Sequence, residues 1–600
     1  MSWQKHSGKF ALSDFRWAIK RIHETLLKFL YLPLLSIPTK TPDVYETVEV
    51  EKDVLIPMRD GVKLCANIHK PKAEGKFPVI LTRLPYGKDE YYCFMPAIGK
   101  HWAKKGYICV VQDARGKWNS EGEWDPLVNE TADGYDTLDW IAKQPWCDGK
   151  IGMFGVSYFG YTQWAVASLN HPNLKCIAPG TIATDMYEWI YTNGAFRMQA
   201  YAGWAYEMNS KTSNNHFRLN YWHLPLITMD DEAGVTCDYY KDVIKHPFRD
   251  SYWDRININE KYSQIKMPVL HWGGWYDNFV KFTIDDWLGV KKNSANATAR
   301  KNQWLVIGPI DHEWTTESTR RIGKMDLSEK GCNWIWDLHQ QFFDYWLKGI
   351  DNGFSETPRV KIFVLGDNDW RYEDEWPLAR TKYTKYYFHS NGSANTLNGD
   401  GWLDTNKPGD EPSDSYVYDP NDPVTMSLET DVWELARSLQ DRTEAEKRAD
   451  VLVYTTPELE EDIEITGPIT VTLYASSSAR DTDFTATLVD VFPDGYAHMI
   501  QEGIVRARYR NSDHNPSLIE PGKVYEYRID LWATSFVVKK GHKIGVEISS
   551  SNFNRFDRNP NTGHEFGMDA EIIKATQTTY HNAKHPSHIT LPIIPRCSRA

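Results

Sequence analysis

Residues 150–164 read KIGMFGVSYFGYTQW. A short apolar run leads into the motif Gly-Val-Ser-Tyr-Phe-Gly at 155–160, and an apolar stretch that suits a helix follows. A strand that turns sharply into a helix needs glycines because backbone segments come close there, and the turn lifts a central serine hydroxyl clear of the chain. The pattern therefore predicts a nucleophile elbow with Ser157 at its tip. The remaining sequence should then supply a general base, an acid and an oxyanion hole.

The sequence around this stretch alternates strands with helices. Four continuous apolar runs predict buried strands, at 77–87, 107–116, 267–277 and 303–313. Two segments between them predict helices, at 94–106 and 130–146. Apolar strands separated by helices are typical of a parallel sheet covered on both faces, so we expect an α/β fold.

The character of the sequence changes along the chain, which predicts several parts. After residue 358, short alternating strands separated by turn residues indicate an all-β domain, which we expect to be a sandwich. Between 180 and 262 the strand rhythm is lost and Tyr, Trp, Asn and Met predominate, which predicts a helical insertion. The expected division is an extension at 1–45, an α/β core at 46–179 and 263–357, a helical cap at 180–262 and a β domain at 358–600.

Composition limits the classes of function. The net charge of −13 disfavours binding to the phosphate backbone of nucleic acids. The eight cysteines form no Cys-x-x-Cys pair, and no cluster of Cys and His has the spacing of a zinc site. We therefore expect reduced thiols, a cytoplasmic location, and neither metal nor cofactor.

The N-terminal region contains an amphipathic segment at 15–37. Phe15, Ile19, Ile22 and Leu26 recur at helical spacing. Lys28 and Pro33 interrupt the apolar stretch too early for a membrane-spanning helix, and a small-residue cleavage site does not follow it. We expect this helix to pack on the body of the protein or on a second subunit, which would make a homo-oligomer. The alternative is a basic helix that lies on a membrane surface.

Two residues complete a catalytic triad in the order that a nucleophile elbow requires. Asp277 directly follows the predicted strand VLHWGGWY, and His312 directly follows WLVIGPID. In the order Ser, Asp, His, each residue should lie in a loop just after a strand. His312 would accept the proton of Ser157, and Asp277 would orient the imidazole. Asp311 is the competing acid, but sequence neighbours rarely reach each other's ring nitrogen in triad geometry.

Acyl transfer also needs two donors to the developing oxyanion. The backbone N–H of Tyr158, the residue after the nucleophile, is the first candidate. The second should come from the loop that follows an earlier strand, where Tyr86 lies at the tip of TRLPYGK. Its hydroxyl can replace a backbone amide.

Several motifs occur together in the order of one known family: RLPYGK, QDARGKWNSEGEWDP, GVSYFG, GGWYD and GPIDH. In this order the chain resembles the cocaine esterase and glutaryl acylase family of serine hydrolases, which is related to X-Pro dipeptidyl peptidases and α-amino-acid ester hydrolases. Two stretches, at 476–495 and 541–563, are similar to the C-terminal jelly-roll domain of that family. The resemblance covers about residues 46–595 and implies an α/β-hydrolase core, a helical cap and a β-sandwich beside the active site. It implies the same triad and the same two oxyanion donors.

The sequence departs from this family in ways that bear on the substrate. The α-amino-acid ester hydrolases carry adjacent carboxylates just after the catalytic aspartate, where this chain has Phe279 and Val280. The extra N-terminal domain of the X-Pro peptidases also has no counterpart in this sequence. We therefore expect a small-molecule ester or amide with a bulky, neutral acyl group and no free α-amine, and an esterase or acylase rather than an aminopeptidase. Six aromatic residues are candidate walls of the acyl pocket: Trp189, Tyr191, Phe196, Trp204, Tyr206 and Trp275.

Two other functions remain compatible with the sequence. An acyltransferase or amide-forming enzyme would use the same triad, with an amine in place of water. A non-catalytic binding protein is the third alternative, because jelly rolls also occur in lectins, but a complete triad argues against it.

Overall fold

The computed structural model describes residues 37–90, 93–213, 219–312, 320–425 and 441–596. The amphipathic segment predicted at 15–37 lies outside these ranges, except for Ile37. Contact of that segment with a membrane or a second subunit therefore stays a prediction. Among the described residues, no helix combines the length and apolar character needed to cross a membrane.

The strands up to residue 373 belong to one large sheet and two small hairpins. In chain order they are β1 (Val48–Pro57), β2 (Lys63–Pro71), β3 (Phe77–Leu84), β4 (Ile108–Asp113), β5 (Cys147–Val156), β6 (Leu174–Gly180), β7 (Tyr191–Thr192), β8 (Ala195–Phe196), β9 (Val269–Gly274), β10 (Gln303–Gly308), β11 (Arg321–Ile322), β12 (Met325–Asp326), β13 (Val360–Val364) and β14 (Asp369–Glu373).

Ten of these described strands form the large sheet, in the order β1-β2-β4-β3-β5-β6-β9-β10-β13-β14. The pairs from β4 to β13 are parallel, whereas the edge pairs β1–β2, β2–β4 and β13–β14 are antiparallel. Successive residues of the central strands enter two different cores: Val79 and Leu81 face one, and Ile80 faces the other. Because both faces are covered, these strands are apolar throughout, which is why the sequence revealed them.

The helices of the described residues are mostly short. They are α1 (Met95–Lys104), α2 (Glu130–Ala142), α3 (Ser157–Ala167), α4 (Met186–Ile190), α5 (Gly203–Met208), α6 (Met229–Glu232), α7 (Asp238–Lys245), α8 (Val280–Asn293), α9 (Ala297–Lys301), α10 (Ile335–Phe343) and α11 (Thr443–Glu446).

The cap lies between β6 and β9. It contains α4 to α7, the hairpin of β7 and β8, and a π-helical turn at Met198–Ala202 that continues into α5. The cap is helical, as the sequence predicts, but its helices are brief and irregular.

The C-terminal part is an all-β jelly-roll domain. Its strands are β15 (Lys382–His389), β16 (Trp402–Asp404), β17 (Asp414–Tyr418), β18 (Leu452–Thr455), β19 (Ile463–Ser477), β20 (Asp483–Val491), β21 (Ala497–Arg506), β22 (Tyr525–Val538), β23 (Lys543–Ser549), β24 (Ala575–Tyr580) and β25 (His588–Ile594). The long strand β19 pairs with β22 on one side and with β24 and β25 on the other. The combination of an α/β-hydrolase core, a helical cap and this domain is the fold class that the sequence predicts.

The first sheet extends beyond residue 358, where we expect the boundary between core and β domain. Strand β13 pairs in parallel with β10, and β14 pairs with β13, so the first sheet continues to Glu373. Short strands with turn residues look alike in sequence whichever sheet they join. Strand character alone therefore could not show which sheet β13 and β14 would join.

Candidate active site

Ser157 lies where β5 ends, as the first residue of α3. Its φ of +54° is in the left-handed region, which a serine adopts only under strain. A Cβ on Gly155 would lie 2.0 Å from Cδ2 of Phe159, and a Cβ on Gly160 would lie 2.8 Å from the carbonyl oxygen of Gly180. The two glycines are therefore required by close packing, and the turn has the backbone of a nucleophile elbow.

Asp277 and His312 lie just beyond the ends of the neighbouring parallel strands β9 and β10. Nδ1 of His312 is 3.2 Å from Oδ2 and 3.4 Å from Oδ1 of Asp277. The Asp277 side chain is fully buried, whereas 11% of the His312 side chain is exposed. Oδ1 of Asp277 also accepts the backbone N–H of Phe279 at 2.7 Å, which fixes the carboxylate. The competing acid, Asp311, is buried too, but the ring nitrogen meets Asp277.

Tyr86, whose hydroxyl is the candidate oxyanion donor, follows the end of β3 by two residues and lines a cavity together with Ser157. Nε1 of Trp204 donates a hydrogen bond to the same hydroxyl oxygen at 3.1 Å. Burial raises the pKa of Tyr86 well above its ordinary value, so the phenol stays protonated and keeps its donor hydrogen. The structure therefore brings Tyr86 to the nucleophile.

Tyr158 is anchored by a buried charged network. Its hydroxyl donates to Oε1 of Glu130 at 2.8 Å and accepts the backbone N–H of Leu127 at 2.9 Å. Glu130 in turn pairs with Arg83 of β3 at 2.7 Å. Burial raises the pKa of Glu130 despite this partner. The network fixes the residue whose backbone N–H is the first oxyanion candidate.

Arg83 and Glu130 were missed in the sequence analysis. A signal was present, because an arginine inside an otherwise apolar strand is rarely fully buried without a partner. The sequence did not reveal which carboxylate it meets.

A cavity that is partly open to solvent lies beside Ser157. Its walls are mostly aromatic and aliphatic: Tyr86, Leu127, Tyr158, Ile182, Met186, Trp189, Tyr201, Trp204 and Phe279. Phe279 stacks on Trp189 with ring centroids 4.8 Å apart, and the ring of His312 lies 5.2 Å from that of Phe279. Phe279, one wall of the cavity, thus contacts the ring of the histidine.

Of the six aromatic residues predicted as pocket walls, Trp189 and Trp204 line this cavity and four do not. The hydroxyls of Tyr191 and Tyr206 donate to the carbonyl oxygens of Val243 and Ala233, within the cap. Phe196 and Trp275 are also directed elsewhere. The first packs against Tyr191 and Phe566, and the second donates to the carbonyl oxygen of Phe363. Aromatic content alone could not show which face of the irregular cap each ring occupies.

Known proteins resemble this chain over nearly its whole length. Residues 60–314 match the family described as X-Pro dipeptidyl-peptidase (S15 family), and residues 352–590 match the X-Pro dipeptidyl-peptidase C-terminal non-catalytic domain. A cocaine esterase of Rhodococcus sp. (strain MB1 Bresler) is 39% identical over 91% of this chain and 99% of its own.

Two solved structures share the architecture. An aminopeptidase from a marine sediment archaeon (Thaumarchaeota archaeon) superposes with a TM-score of 0.80 at 29% identity, covering 94% of this chain and 99% of its own. An α-amino-acid ester hydrolase superposes with a TM-score of 0.81 at 26% identity, covering 93% and 98%. With this fold and these relatives, the protein is a serine hydrolase. It belongs to the family of the Rhodococcus cocaine esterase, which joins an S15-type catalytic domain to an all-β C-terminal domain.

Proposed function

We propose that the protein hydrolyses carboxylic esters through an acyl-enzyme formed on Ser157. His312 accepts the serine proton and later returns it to the leaving alcohol, while Asp277 holds the ring and stabilises its charged form. The observation that carries this proposal is the contact of His312 with a buried carboxylate just beyond the ends of neighbouring strands, together with a serine in a strained elbow.

Two donors would stabilise the tetrahedral intermediate. The backbone N–H of Tyr158 comes from the start of α3, and the hydroxyl of Tyr86 comes from the loop after β3. Tyr86 lines the same cavity as Ser157, which supports the second assignment because the oxyanion forms next to the serine oxygen.

The cavity favours a bulky, neutral acyl group. Its aromatic walls gain from contact with apolar or aromatic groups. A buried ammonium group would need a carboxylate partner. Phe279 takes the position where the α-amino-acid ester hydrolases place a carboxylate. Of the nearby cap carboxylates, Asp185 accepts two hydrogen bonds from Arg249, and Glu188 pairs with Lys281 at 3.1 Å. Both already have a cation.

We also place the enzyme in the cytoplasm. The seven cysteines of the described residues have free thiols, and six of them are buried. Unpaired cysteines in a chain of this size are typical of a reducing compartment.

A fluorophosphonate probe tests the proposal, because it reacts with the activated serine of such enzymes. We expect it to label Ser157 and to abolish ester hydrolysis, and we expect the folded variant Ser157→Ala to show neither labelling nor turnover. A Ser157→Ala enzyme that keeps more than a tenth of the activity would refute the assignment. Addition of an amine acceptor during turnover then measures any acyl transfer in competition with water.

A further inference from the structure

We propose that Trp204 of the cap is a positioning residue of the oxyanion hole, through its hydrogen bond to the hydroxyl of Tyr86. The indole Nε1–H donates to this oxygen at 3.1 Å. The inference rests on the proposed role of Tyr86 as an oxyanion donor. It assigns a function in the chemical step to a cap residue that also lines the acyl cavity.

The hydrogen-bonding capacity of a phenol explains how the contact acts. A tyrosine hydroxyl carries one hydrogen, which rotates about the C–O bond, and its oxygen also accepts hydrogen bonds. Because the indole can only donate, Tyr86 must act as the acceptor towards Trp204. The single hydrogen of the hydroxyl is then left for an oxyanion in the cavity that Tyr86 and Ser157 share. A donor on the phenol oxygen also strengthens the bond that the phenol itself donates.

The same indole also contacts Tyr158, the other residue of the proposed oxyanion hole. The ring of Trp204 stacks on that of Tyr158, with centroids 6.1 Å apart and planes inclined by 23°. The ring of Tyr201 lies 6.2 Å from the indole, in a tilted orientation. These two ring contacts restrict the orientation of the indole. They therefore also restrict the direction of the N–H that it donates to Tyr86.

A core segment that contains Lys117 and Trp118 fixes the end of α5, the cap helix that carries Trp204. Nζ of Lys117 donates to the carbonyl oxygens of Met208 and Thr212 at 2.9 and 3.2 Å, at and beyond the end of α5. The backbone N–H of Trp118 donates to the carbonyl oxygen of Lys211 at 2.9 Å. These bonds fix the helix that carries Trp204.

The same segment holds the loop of Tyr86 on both sides. Nε1 of Trp118 donates to the carbonyl oxygen of Pro85 at 3.0 Å. Oδ1 of Asp113 accepts the backbone N–H of Lys88 at 2.6 Å. Since residues 113–120 fix both partners, the distance between Trp204 and Tyr86 is set by the core rather than by the substrate.

A double-mutant cycle with Tyr86→Phe and Trp204→Phe tests the inference. Phenylalanine keeps a ring at position 204 and removes the N–H. We expect Trp204→Phe to lower kcat by about three- to tenfold in the wild-type background, the range for a single hydrogen bond between neutral groups. In the Tyr86→Phe background the same substitution should leave kcat unchanged, because the oxygen through which it acts is gone.

The choice of ester separates positioning from acyl binding. The loss of kcat should persist with an acetate ester, whose acyl group is too small to depend on the indole surface. The matched control is Trp189→Phe, which removes an indole from the same cavity. It should raise KM for bulky esters by the same factor in both Tyr86 backgrounds.

The outcomes distinguish this inference from the proposed function. If Tyr86→Phe alone leaves kcat unchanged, Tyr86 is not an oxyanion donor and the proposed hole fails. If Tyr86→Phe lowers kcat by about 10²–10³ but Trp204→Phe has equal effects in both backgrounds, Trp204 does not act through Tyr86 and the inference is wrong.

Discussion

Phe279 joins the proposed acid and base to the acyl cavity. It lies two residues after Asp277, donates its backbone N–H to that carboxylate at 2.7 Å, and packs its ring between those of His312 and Trp189. One residue thus fixes the carboxylate through its backbone and makes the cavity wall apolar through its side chain. Every residue except proline could make this backbone contact. The side chain at position 279 can therefore determine which acyl groups the cavity accepts.

The first prediction concerns a charged amine on the acyl group. We expect a higher kcat/KM for a phenylacetyl ester than for the matched phenylglycyl ester, because the ammonium would lose water without gaining a carboxylate. Steady-state kinetics at several pH values measure the ratio. It should widen as the pH falls and the amine becomes protonated. A preference for the phenylglycyl ester at neutral pH would show that the cap supplies an amine site.

At the residue scale, the sequence predicted what depends on chain order. Ser157, Asp277 and His312 follow apolar strands directly, and parallel strands bring their ends together. Arg83 and Glu130 could not be paired, because their contact depends on how α2 packs on β3. Local periodicity does not contain that packing.

Helix α3 packs closely against β6 and carries the elbow. Gly160 lies one turn into the helix, and a Cβ there would come within 2.8 Å of the Gly180 carbonyl oxygen and 3.0 Å of Cγ2 of Ile182. A backbone oxygen cannot rotate away as a side chain can. The helix that presents Ser157 is therefore seated directly on the next strand.

We expect Gly160→Ala to be destabilising although alanine favours helices. The gain in helix propensity is about 1 kcal/mol, whereas overpacking of a tight contact costs about 1–3 kcal/mol. The shift of α3 should also lower kcat. Thermal unfolding and ester kinetics measure both effects. Gly409→Ala is the control, since a Cβ at Gly409 meets nothing within 4 Å. Equal stability of both variants would contradict this packing argument.

Elements were predicted best where they are buried on both sides. The central strands of the first sheet were found because they are continuously apolar. The cap was harder, since its short helices and its β7–β8 hairpin have no sustained period, and three of its five proposed pocket residues do not line the cavity. β13 was recognised as a strand, but its pairing with β10 in the first sheet was not foreseen.

A buried ionic cluster of the jelly roll contacts the cap. Arg506, at the end of β21, donates to both oxygens of Asp483 at 2.9 Å and of Asp557 at 2.8 and 2.9 Å. Asp557 also accepts the backbone N–H of Phe196 in the cap at 2.9 Å. All three charged side chains are at most 3% exposed. The position of the cap therefore depends on contacts with the β domain.

Arg506→Met should destabilise the whole enzyme. It leaves two carboxylates buried without their cation, and breaking such a pair typically costs about 3–5 kcal/mol. We expect a melting temperature several degrees lower. Lys324→Met is the control, because Lys324 also joins the two parts of the chain, through Asp494, but both side chains are largely exposed. Equal melting temperatures for the two variants would show that the buried contact adds nothing.

The junction between the two sheets has a consequence for biosynthesis. Leu365, just after β13, exchanges backbone hydrogen bonds with the chain of β22: its N–H donates to Ser535, and its carbonyl oxygen accepts from Val537, both at 2.9 Å. On the ribosome, the catalytic sheet emerges long before β22 is translated. Until β22 is made, the backbone N–H and carbonyl of Leu365 lack these partners. Unpaired backbone groups at the end of a sheet can pair with another chain. Translation that stops before β22 should therefore leave a product that is prone to pair with other chains.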